Sequence, residues 1–264
     1  MDLKLKNKTA LITGSTAGIG YAIAKSLASE GATVFVNGRS KERIDATVAS
    51  IIKETGNSNV QGISADFAKV QDINELLEQL PEVDILVNNV GIFDPIAFKE
   101  IPDDEWFKFF EVNVLSGIRL SRIYFEKMLT KNWGRIIFIS SESAIQIPAE
   151  MIHYGMTKTA QIAVARGLAE LSVGSAVTVN SVLPGPTASE GVSVFIDSVA
   201  KAQGLTSAEM EKEFFTTVRG TSLLKRFIEP EEIANMVTFI ASPLSSATNG
   251  ATLRADGGVI KTAF

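Results

Sequence analysis

The sequence predicts an α/β fold: one domain on a doubly wound parallel sheet of about seven strands, with helices on both faces. Three observations carry this. Apolar runs of strand length alternate with stretches of helical periodicity along the chain. The strand runs are continuously apolar, as expected of strands covered on both faces. The 264 residues are 45% hydrophobic and 21% charged, an ordinary composition that suits one large domain spanning 1–264.

The elements follow in order. Thr9 to Thr13 reads as a buried strand and Ile19 to Ser29 as a helix. Thr33 to Val36 is a second strand, Lys41 to Glu54 a helix, and Val60 to Ser64 a third strand. Gln71 to Leu80 is helical and stops at Pro81, which cannot continue the backbone ladder. Asp84 to Asn88 is a fourth strand, Asp103 to Thr130 one long, bent helix, and Arg135 to Ser140 a fifth strand. Ile152 to Leu171 is helical, Ala176 to Val182 a strand, Glu231 to Ala241 a helix and Ala251 to Arg254 a short last strand. Helical crossovers between parallel strands give the doubly wound arrangement. Thr187 to Ile228 breaks the rhythm and reads as a partly helical excursion after Pro184-Gly185-Pro186.

Composition removes several function classes. The chain has no cysteine, which excludes disulfides, thiolate metal sites and thiol nucleophiles. His153 is the only histidine, which weakens any Ser-His-Asp scheme, and no metal is expected. A net charge of -5 argues against nucleic acid. Met1 to Lys6 holds no apolar core of signal-peptide length, and no run approaches a membrane span, so a cytoplasmic protein with no membrane partner is expected.

Chemistry-bearing residues gather at predicted strand ends. Gly14, Ser15, Thr16, Gly18, Ile19 and Gly20 join the first strand to the first helix. Glycines let the backbone turn sharply and approach a pyrophosphate, and the helix start offers free N–H groups. The second strand ends in Asn37-Gly38-Arg39-Ser40 with no acid. A carboxylate there would bind the ribose hydroxyls of NAD and repel a 2′-phosphate. Arg39 instead suits a phosphate, with Asn37 and Ser40 adding hydrogen bonds, so NADP(H) is preferred and NAD(H) is allowed. Tyr154 and Lys158, four apart at the start of a helix, share one face. An ammonium beside a phenol stabilises phenolate and lowers a pKa of about 10. Ser140 and Ser141 end the fifth strand, either able to orient a carbonyl or to cap the next segment.

The glycine loop spaced Gly-x-x-x-Gly-x-Gly, with Ser141 thirteen residues before Tyr154 and Lys158 four after it, resembles the short-chain dehydrogenase/reductase family, 3-oxoacyl-thioester reductases among them. The resemblance runs from Lys8 through Gly258 and implies a Rossmann fold and an NAD(P)-dependent oxidoreductase acting on a carbonyl or alcohol. It implies Ser141, Tyr154 and Lys158 as catalytic residues, with Asn113 holding a water that links Lys158 to solvent. It matches Asp66 to the acid facing adenine, with Phe67 beside it. Asn88-Asn89-Val90-Gly91 matches an Asn-Asn-Ala-Gly motif, either contacting cofactor or tying strands together. Pro184 and Gly185 match the motif beside the nicotinamide, with Thr187 able to bond the carboxamide or a phosphate. Two departures stand out: Ala17 where NADP-using relatives often carry a basic residue, and Val90 in place of alanine.

The expected substrate is a small carbonyl or alcohol, such as a partly apolar ketone or a 3-oxoacyl thioester. Alcohol, sugar and steroid dehydrogenases, and a non-catalytic nucleotide-binding regulator, stay open. Val192, Val194, Phe195, Ile196, Val199, Met210, Phe214, Phe215 and Val218 of the excursion either form a lid or pack against the core, with Phe93 and Ile96 opposite. Glu142 faces solvent or a polar substrate group, and His153 reads as a packing residue. The resemblance also implies a homodimer or homotetramer, and the small residues Ala160, Ala163, Ala165 and Gly167 suit close helix packing.

Overall fold

The computed structural model describes residues 2–189, 191–192, 196–197, 200–201 and 204–263. Seven parallel strands lie in the order β3-β2-β1-β4-β5-β6-β7. They are β1 Thr9–Ile12, β2 Thr33–Gly38, β3 Val60–Ser64, β4 Ile85–Asn88, β5 Gly134–Ile139, β6 Val177–Pro184 and β7 Thr252–Ala255. The helices are α1 Gly18–Ser29, α2 Lys41–Thr55, α3 Val70–Gln79, α4 Asp103–Phe110, α5 Ser116–Lys131, α6 Ile152–Leu171, α7 Ser207–Thr217 and α8 Pro230–Ala241.

Successive strand residues point to opposite faces, and the cores follow that alternation. Ile12, Ile85, Val87 and Ile137 pack with Ile23 and Leu27 of α1 and with Ile233 and Val237 of α8. Leu11, Leu86, Ile136 and Phe138 pack with Leu76 of α3, Leu120 and Tyr124 of α5, and Ala165 of α6. Both faces are therefore covered, as the unbroken apolar runs require.

β1 pairs with both β2 and β4, so the chain reverses direction across the sheet there. Such a switch point leaves a crevice at the carboxyl ends of the strands. The ends of β1, β4, β5 and β6 bring Gly14, Asn89, Ser140 and Gly185 to that edge.

One predicted element differs. The expected helix over Asp103–Thr130 is interrupted by a π-helical turn at Glu111–Leu115. A single inserted residue of this kind re-aims side chains, and such turns concentrate at functional sites. Here it carries Asn113. The excursion contains α7, opened by a capping box between Thr206 and Glu209, and is pinned at its base where Thr187 bridges Ile228. No helix among the described residues is long and apolar enough to cross a membrane.

Candidate active site

The loop after β1 is tied down by side chains. The Thr13 hydroxyl accepts from the backbone N–H groups of Asn89 and Val90 (2.9 and 3.0 Å). Asn89 Nδ2 donates to the carbonyls of Thr13 and Gly14. Asn37 Oδ1 accepts from Gly14 N (3.0 Å), and its Nδ2 donates to Ile63 O (3.2 Å). The Ser15 hydroxyl donates to Ile12 O and accepts from Asn37 N, and Ser15 N donates to Asn37 O. The side chains of Ser15, Asn37 and Asn89 are thus engaged in fixing the loop. Asn37, expected to add a hydrogen bond to a phosphate beside Arg39, is buried, with both side-chain ends bonded to protein. Asn88 donates to the Ser121 hydroxyl across to α5 (3.1 Å).

Gly14 and Gly18 sit at φ 61° and 55°, a region that side chains with a Cβ rarely adopt. At Gly20 a Cβ would lie 2.4 Å from Gly14 O and 2.6 Å from Asn89 Nδ2. The first turn of α1 begins after Ala17, whose side chain provides no cap. The N–H groups of Gly18, Ile19 and Gly20 open that turn, where the helix dipole favours an anion. This cradle fits a pyrophosphate.

Arg39 is exposed just beyond β2, beside Ser40. The Ser40 hydroxyl caps α2 by accepting from Arg43 N and donates to Glu42 (2.7 Å). Asp66 accepts from Ala68 N at one carboxylate oxygen, and Phe67 is buried in the core. Thr187 donates to Gly185 O (2.8 Å). At Gly185 a Cβ would meet Asp256 O at 2.6 Å, so only glycine fits there.

A cavity of about 740 Å³ opens at the strand ends, lined by Ser141, Tyr154, Lys158, Gly91, Pro184, Gly185 and Thr187 among others. Tyr154 lies in the first turn of α6 and Lys158 one turn on, with Nζ 5.6 Å from the Tyr154 ring centre. Phe93 packs edge-on against the Tyr154 ring. The two serines divide their work. Ser140 donates to Lys158 O (2.8 Å), fixing α6 to the end of β5. Ser141 accepts from Ser143 N (3.1 Å) and hydrogen-bonds toward Tyr154, favouring its phenolate.

Burial dominates the titration of the pair. It pushes the Tyr154 hydroxyl up to about 12, with Ser141 pulling weakly the other way. It pushes the Lys158 ammonium down to about 7. The expected lowering of Tyr154 by Lys158 is thus overridden, because removing a phenolate from water costs more than its neighbours return.

Asn113 sits on the π-helical turn, buried beside Lys158. Its side chain donates to Ile92 O and the Thr157 hydroxyl and accepts from Ile92 N. Its main-chain carbonyl accepts from Gln161 Nε2 (2.5 Å), while Gln161 Oε1 accepts from Lys158 Nζ (3.2 Å). Lys158 Nζ also donates to Ile139 O (3.0 Å). The Gln161 amide thus bridges the Asn113 main chain and Lys158. Gln161 is 1% exposed and was not singled out from the sequence. Its position three after Lys158 on one helix face was the available signal.

His153 is fully buried against Trp106 and Phe109, and burial lowers its pKa, so it packs. Glu142 is buried, not solvent-facing. Val192, Ile196, Met210 and Phe214 line the cavity as well as packing the excursion, Val218 lines it while exposed, and Phe215 is buried beside Phe227. Phe93 lines the opposite wall and Ile96 does not. The expectations for Val194, Phe195 and Val199 lie outside the described residues.

The fold and this constellation define a dinucleotide-dependent oxidoreductase class, and comparison with known proteins makes it specific. Residues 8–198 match the short chain dehydrogenase family, and this chain belongs to that family. It is 51% identical over the full length of both chains to YvaG, an uncharacterized oxidoreductase of Bacillus subtilis. It is 33% identical to the 3-oxoacyl-[acyl-carrier-protein] reductase of Aquifex aeolicus, covering 98% of this chain and 100% of that one. The structure of L-sorbose reductase from Gluconobacter frateurii, complexed with NADPH and L-sorbose, matches with a TM-score of 0.93 at 28% identity, covering 99% of this chain and 100% of that one.

Proposed function

We propose that this chain is an NADP(H)-dependent carbonyl reductase acting on a small, partly apolar ketone. The carrying observation is that Ser141, Tyr154 and Lys158 meet in one cavity that continues toward the uncapped first turn of α1. When bound, the nicotinamide supplies the hydride that the protein itself cannot. Gly18, Ile19 and Gly20 would hold the pyrophosphate, and Arg39 would take the 2′-phosphate. The NADPH in the L-sorbose reductase complex supports that choice.

Ser141 donates a hydrogen bond to the carbonyl oxygen and polarises it. Tyr154 gives its proton to the same oxygen as the alcohol forms. With burial raising its pKa, the Tyr154 hydroxyl is protonated at neutral pH, the state from which it can give a proton. Lys158 would hold the ribose and, when charged, stabilise the phenolate left behind. Asn113 and Gln161 hold Lys158 in place. Apolar residues of the excursion exclude water around the reacting carbon.

Two measurements test this reading. In a ketone screen with NADPH, Tyr154→Phe should lower kcat by at least 1,000-fold with cofactor affinity unchanged. Retained turnover would overturn the assignment. In a fluorescence titration NADPH should bind more tightly than NADH, and Arg39→Ala should remove about 1–2 kcal/mol of that difference. Tighter NADH binding in the unsubstituted protein would refute the phosphate role.

A further inference from the structure

The residue after Ser141 is tied to the excursion. Glu142 follows Ser141 beyond the end of β5, and Arg219 lies just past α7. Both are buried, at 3% and 9% exposed, and Arg219 Nε donates to Glu142 Oε1 (2.9 Å). Glu142 Oε2 is closed off from solvent, so the carboxylate works inward and not as a contact in the open cavity. Burial pushes this acid upward further than Arg219 and Ser143 pull it down. The bond to Arg219 survives that shift, because Oε1 accepts from a guanidinium whether or not the second oxygen carries a proton.

Glu142–Ala144 form a short 3-10 turn, and this turn sets the Ser141 hydroxyl. Ser143 N donates to Ser141 Oγ (3.1 Å), which fills one acceptor position of the hydroxyl and leaves its proton to be aimed elsewhere. A 3-10 turn has poor hydrogen-bond geometry of its own, so its shape depends on what grips it. α6 grips one side. Thr159 Oγ1 donates to Ala144 O (2.7 Å), and Gly155 lies so close to Ser143 O that an added Cβ would stand 3.1 Å from it. Arg219 grips the other side. Its own N–H donates to Phe214 O (2.8 Å), and Phe214 lines the cavity. Cavity wall and serine are thus parts of one connected unit, joined through a buried ion pair. Such a pair adds little net stability over apolar groups of equal volume, and fixing a unique arrangement is its best-attested use.

We propose that Arg219 is a positioning residue for Ser141: through Glu142 it fixes the turn that orients the serine hydroxyl, so the site is complete only when the excursion is seated. This rests on the carbonyl-reductase reading above. The segment that excludes water from the reacting carbon is then the same one that brings the carbonyl-polarising hydroxyl into line.

The test uses the double variant Glu142→Leu/Arg219→Met, which removes the tether without stranding a buried charge, and 2-hexanone labelled with carbon-13 at its carbonyl. With NADPH, kcat should fall about tenfold at unchanged cofactor affinity, a smaller loss than the roughly 100-fold expected of Ser141→Ala. Added to Ser141→Ala, the double variant should lower kcat by less than about twofold more, because the group it positions is gone. In the enzyme–NADP+ complex the carbonyl resonance should lie downfield of free ketone in the parent and move back toward it in the double variant. Glu142→Gln keeps an acceptor for Arg219 and should retain most of the parent's kcat and resonance shift. Losses that multiply in the Ser141→Ala background overturn the proposal, as does a parent-like resonance in the double variant. Amide hydrogen exchange at Ser143 needs no substrate: it should quicken in the double variant, and an unchanged rate overturns the proposal. Absence of ketone turnover in the parent, with Ser143 exchange quickened in the variant, would count against the carbonyl-reductase reading and not against this tether.

Discussion

Lys158 sets a testable conflict between stability and function. Its side chain is 4% exposed, and burial alone pushes its ammonium from 10.5 to about 7. Each pH unit of that difference corresponds to about 1.4 kcal/mol, so desolvation acting alone would cost the fold about 5 kcal/mol when the lysine is charged. Hydrogen bonds to Ile139 O and Gln161 Oε1 return about 1 kcal/mol each, leaving about 3 kcal/mol. The unfolded chain binds this proton more tightly than the folded one, so stability rises with pH between 7 and 10.5 and the penalty is fully present below about 7. Lys158→Met keeps the length and removes the charge. At pH 6.5 it should be more stable than the parent by about 3 kcal/mol, while losing turnover and most cofactor affinity. By pH 9 the gap should narrow by about 2–3 kcal/mol, because the parent has recovered most of its penalty. Urea denaturation at both pH values, followed by far-UV circular dichroism, measures the gap, and other titrating groups cancel in the difference. A Met variant less stable at pH 6.5, or a gap that ignores pH, would refute the reasoning.

Further outcomes follow from the same geometry. Gly20→Ala places a Cβ against Gly14 O and Asn89 Nδ2, so NADPH affinity should fall at least 100-fold while circular dichroism stays near that of the parent. Gln161→Leu removes an acceptor from Lys158 and should move the alkaline limb of the kcat profile to lower pH, whereas Gln161→Glu should move it higher. Identical limbs in the two variants would show that Gln161 does not act through Lys158.

The sheet and most helices were legible because their signals are local. Unbroken apolar runs marked β1, β4 and β5, and glycine spacing marked the turn into α1. The π-helical turn was hidden because one inserted residue barely disturbs periodicity over Asp103–Thr130; an asparagine amid apolar neighbours was its only trace. The site was legible as a set of positions, less so as a set of contacts. Asn37 stands beside the expected phosphate position, yet Gly14 N and Ile63 O take up its amide. Position along a strand reports proximity, whereas the hydrogen-bond account of a buried amide is settled only by its three-dimensional neighbours. Tyr154 shows the same limit, since spacing predicts an ammonium nearby but not that burial outweighs it. Glu142 and Arg219 lie 77 residues apart and share no periodic pattern that would pair them.

The side-chain knots around Thr13, Asn37 and Asn89 bear on how this protein can be re-engineered. They hold the dinucleotide loop in shape without help from a ligand, so binding loses little conformational entropy in ordering it. They also divide the loop into interior struts and an outward rim. Substitutions meant to change which nicotinamide dinucleotide is preferred are confined to the rim, at Ala17, Arg39 and Ser40. The same changes at Ser15 or Asn37 would cut a strut and lose both dinucleotides together.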